Sequence, residues 1–141
     1  SKYASGFSWG VQRDVIEKFR IYDYWITGSC DSAFVIGIWG DWKNQFFDRL
    51  NPEMKQHYFE WAKPFHDYID GSVSYLNVHV NHLWHGYRNY KKRWNCLKNL
   101  NPYNDLRISN GVLEWSSDKP DLHECCKKMC LKYEIDFKLF L

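Results

Sequence analysis

Asn51-Pro52-Glu53 constrains the fold of this chain more than any other run of three residues. Asn51 reads as a helix cap, because its side-chain oxygen can accept from an amide of the first turn. Pro52 suits the first helical position, where no N–H is needed. The helix continues through Tyr58, Phe59, Ala62 and Phe65; Pro64 ends or kinks it, and Gly71 breaks the chain.

Other helices follow from spacing. Val15, Ile16 and Phe19 mark one over residues 12–20. Asp31, past the Gly28 turn, caps a second that runs through Phe34, Val35 and Ile38 to Gly40. A basic helix covers residues 87–100 and is closed by Asn101-Pro102, and a last helix covers residues 119–133. The run from Ser5 to Gly10 reads as a short strand or turn, and Ile21 to Ile26 as a loop. Residues 72–83 alternate and are rich in β-branched and aromatic side chains, which predicts a strand. Residues 105–115 read mostly as loop around an Asn110-Gly111 turn. No internal repeat, linker or low-complexity segment interrupts the chain. The expectation is a single domain over 1–141, of mixed α and β (α+β), with helices dominating.

Composition excludes some functions. The chain is 45% hydrophobic, yet no apolar run approaches the roughly 18–20 residues a spanning helix needs. A net charge of +2 argues against a nucleic-acid binder driven by phosphate neutralisation. The aromatic load is the anomaly, with 8 Trp and 10 Tyr. Flat amphipathic rings suit sugar or base faces, and they equally suit a core or an interface. Cys125, Cys126 and Cys130 cluster at helical spacing, while Cys30 and Cys96 stand alone. With no C-x-x-C pair a structural zinc site is disfavoured, and free thiols in a reducing compartment are expected. No signal or targeting run opens the chain, and a first residue of Ser1 suggests a trimmed start.

The residues that carry chemistry centre on Val80-Asn81-His82-Leu83-Trp84-His85-Gly86. Two imidazoles three residues apart at a strand end can reach one metal or one phosphate; the plainer alternative is a pair of hydrogen-bonded, half-buried histidines. Asp31, after the Gly28-Ser29-Cys30 bend, is a helix cap, a general base, or a carboxylate that hydrogen-bonds a sugar hydroxyl. Arg88, Lys91, Lys92 and Arg93 can bind a diphosphate or form a solvated face. His57, His66 and His123 have no sequence partners that raise them above surface residues. Neither G-x-x-x-x-G-K-[ST] nor G-x-G-x-x-G is present. Gly6-Phe7-Ser8-Trp9-Gly10 spells G-x-S-x-G without the preceding sheet strands an elbow needs, so it reads as a chance match. There is no Asp-x-Asp pair.

In their order these segments resemble the C-terminal, acceptor-side half of a GT-A-type, family-2-like glycosyltransferase of the bacterial, phage and large-virus group. The residues carrying the resemblance are Gly6 to Arg13, Tyr22-Asp23, Gly28-Ser29-Cys30-Asp31 and His82-Leu83-Trp84-His85-Gly86. It continues through Asn89 to Trp94, Asn101 to Leu106, Gly111 to Trp115 and Lys119-Pro120-Asp121-Leu122. Cys30 departs from the pattern where the family has a second Gly. The family's tail is only loosely echoed by Tyr133 to Phe137.

The resemblance implies an α/β fold that is the C-terminal part of a GT-A architecture, without its N-terminal Rossmann-like nucleotide-binding half. The chain is then a fragment, one part of a split enzyme, or a remnant. The implied activity is metal-dependent transfer of a sugar from a nucleotide-sugar to a glycan acceptor, with Mn²⁺ or Mg²⁺ as cofactor. The implied partners are the nucleotide-sugar, the glycan and a separate N-terminal half or subunit, with no nucleic acid and no membrane span. Asp31 becomes the catalytic base, and His82 a metal ligand with His85 as second candidate. Trp9 and Trp84 offer ring faces to sugars, and Arg13 and Arg88 compensate phosphate charge. The expected location is the cytoplasm of a bacterial or virus-infected cell, or the virion. The alternative is a non-catalytic glycan-binding or structural interaction module derived from such an enzyme.

Overall fold

The computed structural model describes residues 9–79 and 93–128. In chain order these form α1 (Arg13–Phe19), α2 (Cys30–Trp39), a 3₁₀ turn (Gln45–Arg49) and α3 (Pro52–Ile69). Short helices α4 (Arg93–Lys98) and α5 (Pro102–Asp105) follow, then β1 (Leu106–Ser109) and β2 (Val112–Trp115). A helix over 120–128, here α6, is the last described element. Helices dominate and the only sheet among the described residues is the two-stranded pair β1–β2, so the architecture is helix-rich α+β.

The Asn51 expectation holds in detail. Its side chain accepts from Met54 N–H at 2.7 Å, with Pro52 at the first helical position. The same side chain donates to the carbonyls of Lys98 and Leu100, at 3.0 and 2.8 Å. One amide thus caps the start of α3 and satisfies carbonyls that the end of α4 leaves open. Helix α3 passes through Pro64 to Ile69, with Pro64 exposed. Its Met54, Tyr58, Ala62 and Phe65 form one buried stripe at helical spacing.

That stripe packs on α2, whose Ala33 to Ile38 are all buried. Gly37 lets the two helices approach, because a Cβ there would stand 3.2 Å from the Phe65 and Trp61 rings. Tyr58 donates its hydroxyl to Ala33 O at 2.7 Å. Trp25, fully buried, stacks on Phe46 at 4.5 Å and on Tyr58 at 5.0 Å between ring centroids. Tyr22, Trp25, Tyr58 and Trp94 are therefore core, whereas Trp9, Trp39, Tyr68, Tyr75 and Tyr103 stay exposed. A smaller apolar cluster of Val15, Phe34, Ile38 and Phe65 holds α1 against the same pair of helices.

Several expectations are corrected. Residues 72–79 are irregular rather than a strand; 80–83 lie outside the described residues. Close backbone bonds from Val73 N–H to Gly71 O and from Val78 N–H to Leu76 O fold the chain tightly, and no described strand pairs with it. Tyr75, Leu76 and Val78 are exposed. Alternation marks a pleated surface only where a neighbouring strand supplies the ladder.

Residues 105–115 are a β-hairpin, not mostly loop. Leu106 pairs with Trp115 and Ser109 with Val112, around Asn110 and Gly111 at φ +51 and +79. Positive φ at both central residues suits the right-handed twist of the two strands, which is why Asn-Gly favours this turn. The free-thiol expectation fails for Cys96 and Cys125, which form a disulfide joining α4 to α6 with Cα atoms 5.9 Å apart. Cys30 and Cys126 lie outside any disulfide. No helix among the described residues is long and apolar enough to cross a membrane.

Candidate functional site

The segment leading into α2 shapes the site. Trp25 O accepts from Gly28 N–H at 2.8 Å, closing a turn that carries Gly28 and Ser29 into the left-handed region at φ +109 and +78. Ser29, not Asp31, is therefore the residue at the N-cap, and its side chain makes no cap bond. Asp31 falls inside the first turn of α2, with Oδ1 accepting from Ser32 N–H at 2.8 Å. A carboxylate there is favoured by the amide dipoles of the helix start. Its second oxygen accepts from no described residue.

Asp31 borders a cleft of about 430 Å³. One wall comes from the chain that precedes α2, as Trp9, Val11, Ile16 and Ile21. The other is the α2 face bearing Cys30, Asp31 and Phe34. Trp9 meets Phe34 edge-on, with ring centroids 5.8 Å apart, and keeps 41% of its surface open. Ile21 at the same cleft is 56% exposed. Cys30 turns its thiol toward Trp25 O at 3.7 Å. The cleft is apolar on most sides, with Asp31 its one ionisable carboxylate.

Two expected site residues, Trp9 and Asp31, thus share one cleft. Arg13 begins α1, is exposed, and does not line it, although Ile16 one turn later does. His82, Trp84, His85 and Arg88 lie outside the described residues. Among the described residues, no group of three or more His, Cys, Asp or Glu gathers to hold a metal ion. Ile21 and Phe34 are cleft residues that sequence reasoning did not place at a site, whereas Cys30 stood out there as the departure from the family's Gly. For Ile21 and Phe34 the only signal was proximity to the Gly28 turn.

His57, His66 and His123 are integrated rather than simply surface residues. His66 Nδ1 lies 2.9 Å from Ile38 O, and His123 packs on Trp115 with centroids 4.2 Å apart. His57 sits against Tyr24 at 4.2 Å and Tyr103 at 5.0 Å, with Nδ1 3.0 Å from the Tyr22 hydroxyl. Partial burial lowers the His57 pKa, against an opposing pull from Glu60. Burial also raises Tyr22. Tyr103 is pushed up to about 12 by desolvation and by donating to Glu60 at 2.8 Å. This aromatic patch is neutral near pH 7 apart from Glu60.

No family model, no curated protein and no solved structure matches this chain.

Proposed function

We propose that this chain is the acceptor-side portion of a GT-A-type glycosyltransferase that moves a sugar from a nucleotide-sugar to a glycan acceptor. The observation that carries the reading is the shared cleft of Trp9 and Asp31, which offers a partly open indole face beside a carboxylate. Such a pair suits a saccharide, with the ring's apolar face on Trp9 and one hydroxyl bonded to Asp31.

In transfer, Asp31 accepts the proton of the acceptor hydroxyl as its oxygen bonds to the donor's anomeric carbon. The bond from that carbon to the diphosphate breaks, and the nucleoside diphosphate leaves. The candidate metal ligands His82 and His85 lie outside the described residues, and the described residues by themselves gather no ligand set. On the resemblance, Mn²⁺ or Mg²⁺ would draw on His82, with His85 as second ligand. Trp84 and Arg88 would extend the sugar and phosphate contacts, Arg13 would add charge near α1, and a separate nucleotide-binding half or subunit would complete the enzyme. A cytoplasmic or virion location belongs to the same reading. The Cys96–Cys125 bond favours an oxidising surrounding over the reducing cytosol.

Two measurements on the purified chain test this. Mn²⁺ retention, followed by electron paramagnetic resonance, is expected for the wild type and lost in His82→Ala. Saturation-transfer NMR with a panel of simple glycosides is expected to show contact that Asp31→Asn weakens at least tenfold, with circular dichroism unchanged. Absence of both Mn²⁺ retention and glycoside contact overturns the proposal. Glycoside contact that survives both substitutions supports the non-catalytic glycan-binding module instead.

A further inference from the structure

Resting on that reading, we infer that the acceptor seated against Asp31 is amphiphilic, a glycoside whose sugar hydroxyl meets Asp31 while a hydrocarbon aglycone fills the rest of the cleft. The cleft's chemistry is lopsided. Val11, Ile16, Ile21 and Phe34 give it a hydrocarbon lining, and the polar side chains are Asp31 and the Cys30 thiol. A free saccharide buried there would leave most of its hydroxyls without partners, each exchanging a water bond for nothing. One hydroxyl can be served, by the Asp31 oxygen that Ser32 N–H does not occupy.

Size points the same way. About 430 Å³ lies within the range of pockets that enclose drug-sized ligands, so a hydrocarbon arm has room beside a ring. Ile21 and Trp9, which line this cleft, are 56% and 41% exposed overall. That apolar area is available for an aglycone to cover, and each methylene so buried should raise affinity about fourfold. An acyl, prenyl or simple alkyl arm would present the same hydrocarbon chemistry.

The test measures binding to the whole chain by titration calorimetry, with methyl β-glucoside and octyl β-glucoside, the latter below its micelle concentration. The octyl glycoside is expected to bind at least tenfold more tightly. Ile21→Ser, which alters an exposed side chain, should remove at least fivefold of that preference, read as the ratio of the octyl to the methyl affinity. Asp31→Asn should weaken both ligands. A longer-chain series from decyl to prenyl glycosides then distinguishes a straight from a branched arm, and either result supports the inference.

Equal affinities for the two glycosides overturn it, as does a preference that Ile21→Ser leaves intact. Octyltrimethylammonium binding as tightly as the octyl glycoside also overturns it, since the cleft would then be a site for organic cations. So does concentration-dependent dimerisation blocked by Ile21→Ser, which would make the cleft a contact between copies. Equal affinities that both fall in Asp31→Asn sink the amphiphile alone and leave glycosyl transfer standing. Loss of the Mn²⁺ and glycoside results above sinks glycosyl transfer itself.

Discussion

Lys119 Nζ lies 2.8 Å from Asp105 Oδ2, an ion pair in which the carboxylate is fully buried and the ammonium half-exposed. The same oxygen accepts from Asn101 N–H at 2.8 Å. Asp105 thereby ties the start of α5 to the approach to α6, across the hairpin that separates them. Asn101 in turn caps α5, accepting from Tyr103 and Asn104 amides.

Replacing Asp105 with Ala should destabilise the fold by about 2 kcal/mol, because a buried amide and an ammonium lose their shared acceptor. Burial on its own pushes the Asp105 carboxyl up. The bonds from Lys119 and Asn101 N–H outweigh it and hold the group below the usual aspartate value. A depressed carboxyl contributes stability above its unfolded value of about 3.9, and loses it as pH falls through the lower folded value. Urea titrations between pH 6 and 2.5 should show that loss in the wild type and a shallower one in Asp105→Ala.

Reducing the Cys96–Cys125 bond, which spans 29 residues, should cost about 3.5 kcal/mol through the freedom returned to the unfolded chain. Thermal unfolding with and without dithiothreitol measures it, and the double variant Cys96→Ala/Cys125→Ala should be insensitive to the reductant. An unchanged wild-type melting point would contradict the pairing.

His57 predicts a second, separate pH effect. Its folded-state pKa is depressed, so below about 6.5 the unfolded chain takes up the proton more readily than the folded one. Stability should therefore be full above that value and decline as pH falls below it, well before Asp105 titrates. His57→Gln should flatten the profile between pH 7 and 5.

Gly40 ends α2 at φ +62, and a Cβ there would stand 2.8 Å from Cε1 of His66. Gly40→Ala should cost at least about 1–2 kcal/mol for the left-handed backbone alone. The displaced His66 would also lose its bond to Ile38 O, visible as a shifted His66 ring resonance by NMR.

Helices α1 and α2 were legible in the sequence to within a residue or two at their ends, and α3 at its start, although it runs past Pro64, where an end or kink was expected, to Ile69. Their signals are local: a capping Asn51, a Pro at the first position, Gly40 at an end, and apolar residues repeating with the helix. Asn110-Gly111 was equally local, and its hairpin signal was present even though the flanking residues read as loop. The site was legible in part. Asp31 was expected just past the Gly28 bend, and its setting inside the first turn rather than at the cap followed only from the backbone angles of Ser29.

The sequence by itself determined the helical frame and put a carboxylate at the head of α2, because capping, proline and periodicity act over four residues or fewer. Tertiary structure alone decided that residues 72–79 find no described strand to pair with, and that Cys96 and Cys125 meet across 29 residues. It also decided that Trp9 and Asp31 border one cleft. Those outcomes depend on which surfaces come together when α1, α4 and α6 settle on the α2–α3 pair, and no short-range spacing encodes that arrangement.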